Sequence, residues 1–206
     1  MTVRFDAERH LYFVDDRLVP NVTRMISALN LVDTSFFTEE SRERGSHVHQ
    51  AVHLYIKGEL DESSVHPPWR GHVAAAIKLL QDARADLSRL QTEVRVYNAR
   101  LGYCGTADVL GPIFDFETCL DWKSGAIGEA TGIQTALYDL AHPLPGGGRR
   151  RRMGAQLRSN GTYKLVNLDR ELDPNGLDYH RALALVDFYR RFHWKREERE
   201  LLSAAA

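Results

Sequence analysis

The chain has 206 residues, 43% hydrophobic and 27% charged, with two cysteines and a formal net charge of -1. That length suits one domain with a full core but not two of ordinary size, and the composition excludes disordered and fibrous classes. Two cysteines cannot supply a disulfide framework, a four-cysteine zinc site or an iron–sulfur cluster, so Cys104 and Cys119 read as small core residues. No apolar run approaches the roughly 18 residues that span a bilayer, and no basic stretch followed by a hydrophobic signal core opens the chain. No membrane partner is expected, and a cytoplasmic location is. The net charge decides nothing as a sum, because a basic groove fits within a balanced total.

The chain reads as one α/β unit. In residues 1–30, His10–Val14 and Leu18–Pro20 form a small hairpin around a polar turn at Asp15-Asp16-Arg17, and Asn21-Val22-Thr23 opens a helix. Residues 31–90 are helical. A helix from about 35 to 57, broken near Gly45, carries Val48, Val52 and Tyr55 on one face and stops at Gly58. A second amphipathic run follows Pro67-Pro68 from Trp69 through Val73, Ile77 and Leu80 to Leu87.

In residues 91–170 the period changes to two. Thr92–Tyr97, Gly105–Leu110 and Phe116–Lys123 read as strands, with Gly111-Pro112 separating the last two. A helix from Thr131 to Ala141 stops before Pro143, and Pro145–Gly148 is a flexible loop. Arg149–Arg158 and Thr162–Leu168 form strands joined by a tight turn at Asn160-Gly161. Residues 171–206 hold a last long helix, Leu177 to Leu202.

Chemistry concentrates at the third strand. Alternation puts Asp121 and Lys123 on one face and Trp122 on the other. Antiparallel pairing brings the Asp108 carboxylate toward Asp121, and like charges that close invite a divalent cation. Hard oxygen ligands suit Mg²⁺ or Mn²⁺, which polarise a phosphate oxygen and lower the pKa of bound water. Taken alone, Asp-x-Lys is equally a strand-end salt bridge. Gln134 and Tyr138, four residues apart, share a helical face. Glu93 is either turned toward the cleft, where it holds a second metal or orients Lys123, or is an exposed strand residue. Arg149, Arg150, Arg151 and Arg152 offer guanidinium groups to a phosphate backbone, or else form a solvated loop edge.

Four segments in order, Arg44–His49, Gly102–Asp108, Leu120–Gly125 and Gln134–Tyr138, resemble the RecB-like branch of the PD-(D/E)XK nuclease superfamily, including small phage-type exonucleases. The resemblance covers most of the chain. It implies a restriction-endonuclease-like core, a central mixed β-sheet flanked by helices, and metal-dependent DNA hydrolysis. It implies that His49, Asp108, Asp121 and the Trp122 backbone carbonyl bind metal, that Lys123 is the catalytic lysine, and that Gln134 and Tyr138 are the family's Gln-x-x-x-Tyr pair. His47 and His53 are the competing histidines on the same helix. Arg44 is expected to contact DNA, and Thr23 and Arg24 to bind a strand end at a helix start.

Some relatives carry four cysteines for an iron–sulfur cluster, which this chain cannot. No Walker-type loop is present, so any processivity must come from enclosing the strand or from a recombination or replication partner protein. Three readings stay open at this level: an exonuclease acting on DNA ends in replication, recombination or repair; a structure- or sequence-specific endonuclease; and a non-catalytic nucleic-acid-binding module.

Overall fold

The computed structural model describes residues 2–31 and 38–203. Its centre is a five-stranded mixed sheet of order β4-β5-β6-β7-β8, with β4 Gln91–Asn98, β5 Tyr103–Ile113, β6 Phe116–Lys123, β7 Arg151–Leu157 and β8 Tyr163–Asn167. All neighbours are antiparallel except β6 and β7, which run parallel because helix α4 (Glu129–Ala141) carries the chain back between them.

Helices cover both faces. On one, α2 (Glu39–Lys57) and α3 (Arg70–Asp82) bury Val48, Val52, Val73 and Leu79 against Val109, Leu120, Trp122 and Ala155. On the other, α1 (Val22–Ala28), α4 and α5 (Asp178–Tyr189) bury Met25, Ile133, Leu137 and Tyr189 against Val96, Ala107, Leu110 and Cys119. Both cysteines are free and buried. No described helix is long and apolar enough to cross a membrane.

A smaller antiparallel sheet, β1 (Val3–Asp6), β2 (Leu11–Val14) and β3 (Arg17–Val19), docks beside the first. The Cys104 N–H donates to the Pro20 carbonyl at 2.9 Å, and the Tyr12 and Thr106 hydroxyls are 2.6 Å apart. Strand β1 has too short and mixed a pattern to be read from sequence. The β2–β3 hairpin turns at Asp15 and Asp16, both at positive φ, as a two-residue primed turn requires.

Several boundaries differ from the sequence reading. Helix α2 runs through Gly45 without a break, capped by Thr38 at its start and by left-handed Gly58 at its end. A single helical glycine costs about 1 kcal/mol, which a 19-residue capped and packed helix absorbs. The expected start near residue 35 lies outside the described residues.

Helix α3 ends at Asp82, followed by Arg84 at φ 49, and Leu87 belongs to a separate 3₁₀ turn, Leu87–Arg89. Gly111-Pro112 does not separate β5 from β6 but lies inside β5. The pairing of β5 with β4 has ended at Leu110, so the backbone N–H that proline lacks is not needed there. The turn is instead Phe114-Asp115, both at positive φ. The C-terminal helix is interrupted by a π-helical segment, Arg190–Trp194, before α6 (Lys195–Ser203).

Candidate metal centre

The site forms where the sheet's ladder opens on both sides of Asp108. The β5–β6 register extends only as far as Val109 opposite Leu120. Beyond it the Asp108 carboxylate takes over a backbone role, Oδ2 accepting from the Trp122 N–H at 2.8 Å.

Toward β4, the pairing steps from Thr92–Val109 to Val94–Ala107, leaving Glu93 and Asp108 facing each other unpaired. Glu93 has φ 50, a left-handed conformation that costs a non-glycine residue about 1–3 kcal/mol. That residue turns the strand over. Thr92 hydrogen-bonds His53 of α2, whereas Val94 and Val96, of the same parity, pack into the opposite layer. The switch leaves acidic side chains in a fork between the two layers.

Helix α2 delivers His49 into the fork. Its Nδ1 lies 3.4 Å from Asp108 Oδ1, and its Nε2 is 3.1 Å from the Trp122 carbonyl oxygen. His49, Glu93 and Asp108 each offer a ligand atom, all within 4.8 Å of one another. Asp121 stands beside this group. It is 1% exposed, with Oδ2 2.6 Å from Lys123 Nζ, yet neither carboxylate oxygen has a hydrogen bond of acceptable geometry. Lys123 also donates to Gln134 Oε1 at 3.1 Å, and Gln134 Nε2 donates to the Tyr138 hydroxyl at 2.9 Å. The Gly105 position needs its glycine, since a Cβ there would sit 2.7 Å from the Tyr138 ring.

The electrostatics follow from crowding charge into this space. Burial pushes the Glu93 carboxyl up to about 7, aided by the Asp108 charge. Burial likewise raises Asp121, and Asp108 repels its charge, although Lys123 partly offsets both. Asp108 goes the other way: burial opposes its ionisation, but His49, Lys123 and the Trp122 N–H prevail and hold it below the usual carboxylate range. Burial alone would lower His49, but Asp108 and Asp121 raise it to about 9. Lys123 is raised above its ordinary value, burial being outweighed by the two aspartates.

Two carboxylates, a histidine and a backbone carbonyl, beside an aspartate whose buried oxygens are unsatisfied, make a donor set that fits a divalent cation. His49, Glu93 and Asp108 could hold such an ion, with Asp121 and the Trp122 carbonyl adjoining.

The residues foreseen from sequence fall into two sets. His49, Asp108, Asp121, the Trp122 carbonyl, Lys123, Gln134 and Tyr138 come together, and Glu93 joins the ligand group itself. Its place opposite Asp108 in an antiparallel pair was the available signal. His47 stacks on Trp69, outside the fork. Arg44 lies one helical stretch before His49, with Nε buried and unbonded, close enough to His72 to lower its basicity after burial does so.

The other arginines expected at a phosphate backbone lie in varied surroundings. Arg24 is tied to Glu197 at 3.0 Å and to the Arg9 carbonyl, while Thr23 is exposed. Arg150 and Arg152 turn inward because neighbouring residues of a strand alternate. Arg150 meets Asp139 and the His142 carbonyl; Arg152 meets Asp169, Asp173 and Asp178. Arg149 lies over Tyr179 and Arg151 over Phe116. Moreover, Arg151 pairs with Thr118 and Gln156 with Lys123, so the run sits about 17 Å along the sheet from the lysine at ~3.3 Å per residue.

Comparison with known proteins returns no matching family model and no matching curated relative.

Proposed function

We propose that this chain is a divalent-metal-dependent DNA nuclease of the RecB-like PD-(D/E)XK type, an exonuclease hydrolysing phosphodiesters from DNA ends. The observation that carries this reading is the fork in which His49, Glu93 and Asp108 converge beside the Asp121–Lys123–Gln134–Tyr138 chain. A structural salt bridge has no use for a strained glutamate, a second buried carboxylate and a histidine at one point of a sheet.

Mg²⁺ or Mn²⁺ bound by these ligands would supply Lewis-acid polarisation of the phosphate and a water of lowered pKa. Lys123, held against Asp121, would hold the attacking water or take its proton and donate to phosphate oxygens. Gln134 fixes the Nζ position from α4, and Tyr138 in turn orients Gln134. Water attacks phosphorus in line with the leaving oxygen; the new P–O bond forms as the ester bond breaks.

The test is digestion of end-labelled linear and circular DNA, single- and double-stranded, with Mg²⁺ or Mn²⁺ and with chelator, using Asp108→Ala as the blank. Cutting of linear but not circular DNA is expected, with Lys123→Ala folded and inactive. Cutting of circles points to an endonuclease. Binding without cutting under every condition refutes the nuclease reading in favour of a binding module. An RNA substrate run in parallel defines the sugar.

A further inference from the structure

At the far end of the sheet from Lys123, a cavity of about 380 Å³ opens where β6 and β7 begin and β8 ends. Four of its lining residues are arginines, Arg149, Arg150, Arg151 and Arg170, and Asn167 closes one side. Two observations separate it from an ordinary charged surface. The Arg150 side chain is 6% exposed, and its Nε is buried without a hydrogen bond, although its Nη1 is engaged by Asp139. Asn167 Oδ1 is buried and unbonded as well. Two of the residues that line the cavity thus each carry a buried polar atom without a partner, at a cost of about 1–3 kcal/mol apiece.

The charge balance fixes the sign of the ligand. Asp169 is engaged by Arg152 at 2.7 Å, and Asp139 by Arg149 and Arg150. Among the described residues, Arg151 and Arg170 form no ion pair; of the two acidic residues that line the cavity, Asp169 is already engaged by Arg152, which leaves Glu117. Arg151 is held by its stack on the Phe116 ring, 3.3 Å from guanidinium carbon to ring centroid, which leaves the N–H edge of a planar fork free. A planar fork matches the paired oxygens of an oxyanion rather than a simple halide, and several guanidinium groups at one cavity suit the higher charge of a phosphate. The orphan Asn167 oxygen asks for a donor on the same ligand, which a nucleoside's hydroxyl or amino group provides. The volume falls in the range of small-molecule sites, roughly 300–1,000 Å³.

We propose that this cavity binds the phosphate group of a nucleotide, at a site separate from the metal centre. Arg151 and Arg170 grip the phosphate, Arg150 Nε completes the donor set, and Asn167 receives the donor from the nucleoside part. The inference does not rest on the nuclease reading.

Calorimetric titration of the whole chain in chelator, with a nucleoside monophosphate, the unphosphorylated nucleoside, inorganic phosphate and a single-stranded oligonucleotide, tests it. The monophosphate is expected to bind saturably, and the nucleoside not at all. The Arg151→Gln/Arg170→Gln double variant, with its unliganded melting temperature checked, should bind at least about tenfold more weakly, the loss of a charge-assisted hydrogen bond. Asp108→Asn should bind as the parent does. If the double variant loses oligonucleotide rather than monophosphate affinity, the cavity follows a nucleic-acid strand and the nucleotide proposal is overturned. Equal binding of every phosphate ligand by parent and double variant, or no saturation by any of them, overturns the proposal.

Discussion

Arg152, at the start of β7, and Asp121, at the end of the neighbouring β6, are both 1% exposed, yet their surroundings treat charge in opposite ways. Around Arg152 every side-chain nitrogen is engaged: Nε meets Asp169, Nη1 meets Asp178 and the Gly132 carbonyl, and Nη2 meets Asp173. Gly132 has no room for a side chain, because a Cβ would fall 2.2 Å from Asp178 Oδ2. Around Asp121 the carboxylate oxygens lack hydrogen bonds, a second aspartate stands nearby, and a glutamate is held in a left-handed conformation. Burial is the same at both ends, and satisfaction is what differs. A saturated buried charge holds elements together, whereas an unsaturated one is a place where something else binds.

The comparison breaks most visibly in activity. Asp108→Asn removes the carboxylate that joins His49, Trp122 and the ligand group, and DNA cutting measured under single turnover should fall about 10³–10⁴-fold, roughly 4–5.5 kcal/mol of barrier. Its fold should survive, as seen by an unchanged circular dichroism spectrum. A variant that still cuts within about tenfold of the parent removes Asp108 from the chemistry.

Arg152→Met should act on the fold instead. It strands buried Asp173 and Asp178 without their counter-charge, and urea denaturation should show a loss of about 3–5 kcal/mol. A loss under 1 kcal/mol would make the cluster incidental.

Acid should find the same cluster. Burial opposes ionisation of Asp173, but the backbone N–H groups of Asp178 and Leu177 and the Arg152 guanidinium prevail and hold it below the ordinary carboxylate range. A depressed carboxylate contributes stability that is complete above its unfolded pKa and is lost as pH falls through its lowered folded value. Denaturation free energies measured from neutrality down to about pH 3 should therefore decline less steeply in Asp173→Asn than in the parent.

The smallest effect sharpens the contrast. In Asp121→Asn, relief of repulsion with Asp108 opposes loss of the Lys123 contact, so stability in chelator should change by no more than about 1 kcal/mol. A destabilisation matching that of Arg152→Met would mean that both ends are structural.

Much of this was legible in the chain. The strand Phe116–Lys123, the helix start at Asn21 and the stop at Gly58 follow from period and capping chemistry, which act over a few residues. The shared face of Asp121 and Lys123, and that of Gln134 and Tyr138, follow from the periods of strand and helix. Less visible were Gly45 inside α2 and Pro112 inside β5, where packing and a missing partner strand overrode local punctuation.

The sequence by itself determined an α/β chain with ordered candidate ligands, because alternation and helical spacing are local consequences of backbone geometry. Only the tertiary structure decided which charges are satisfied. Four consecutive arginines look alike in a sequence, but alternation buries Arg150 and Arg152 against aspartates contributed from residues 139 to 178. Glu93 likewise joins His49 and Asp108 only because the left-handed turn at its own position switches β4 from one layer to the other. Hydrogen-bond satisfaction depends on partners distant along the chain, and no local pattern encodes where those partners stand.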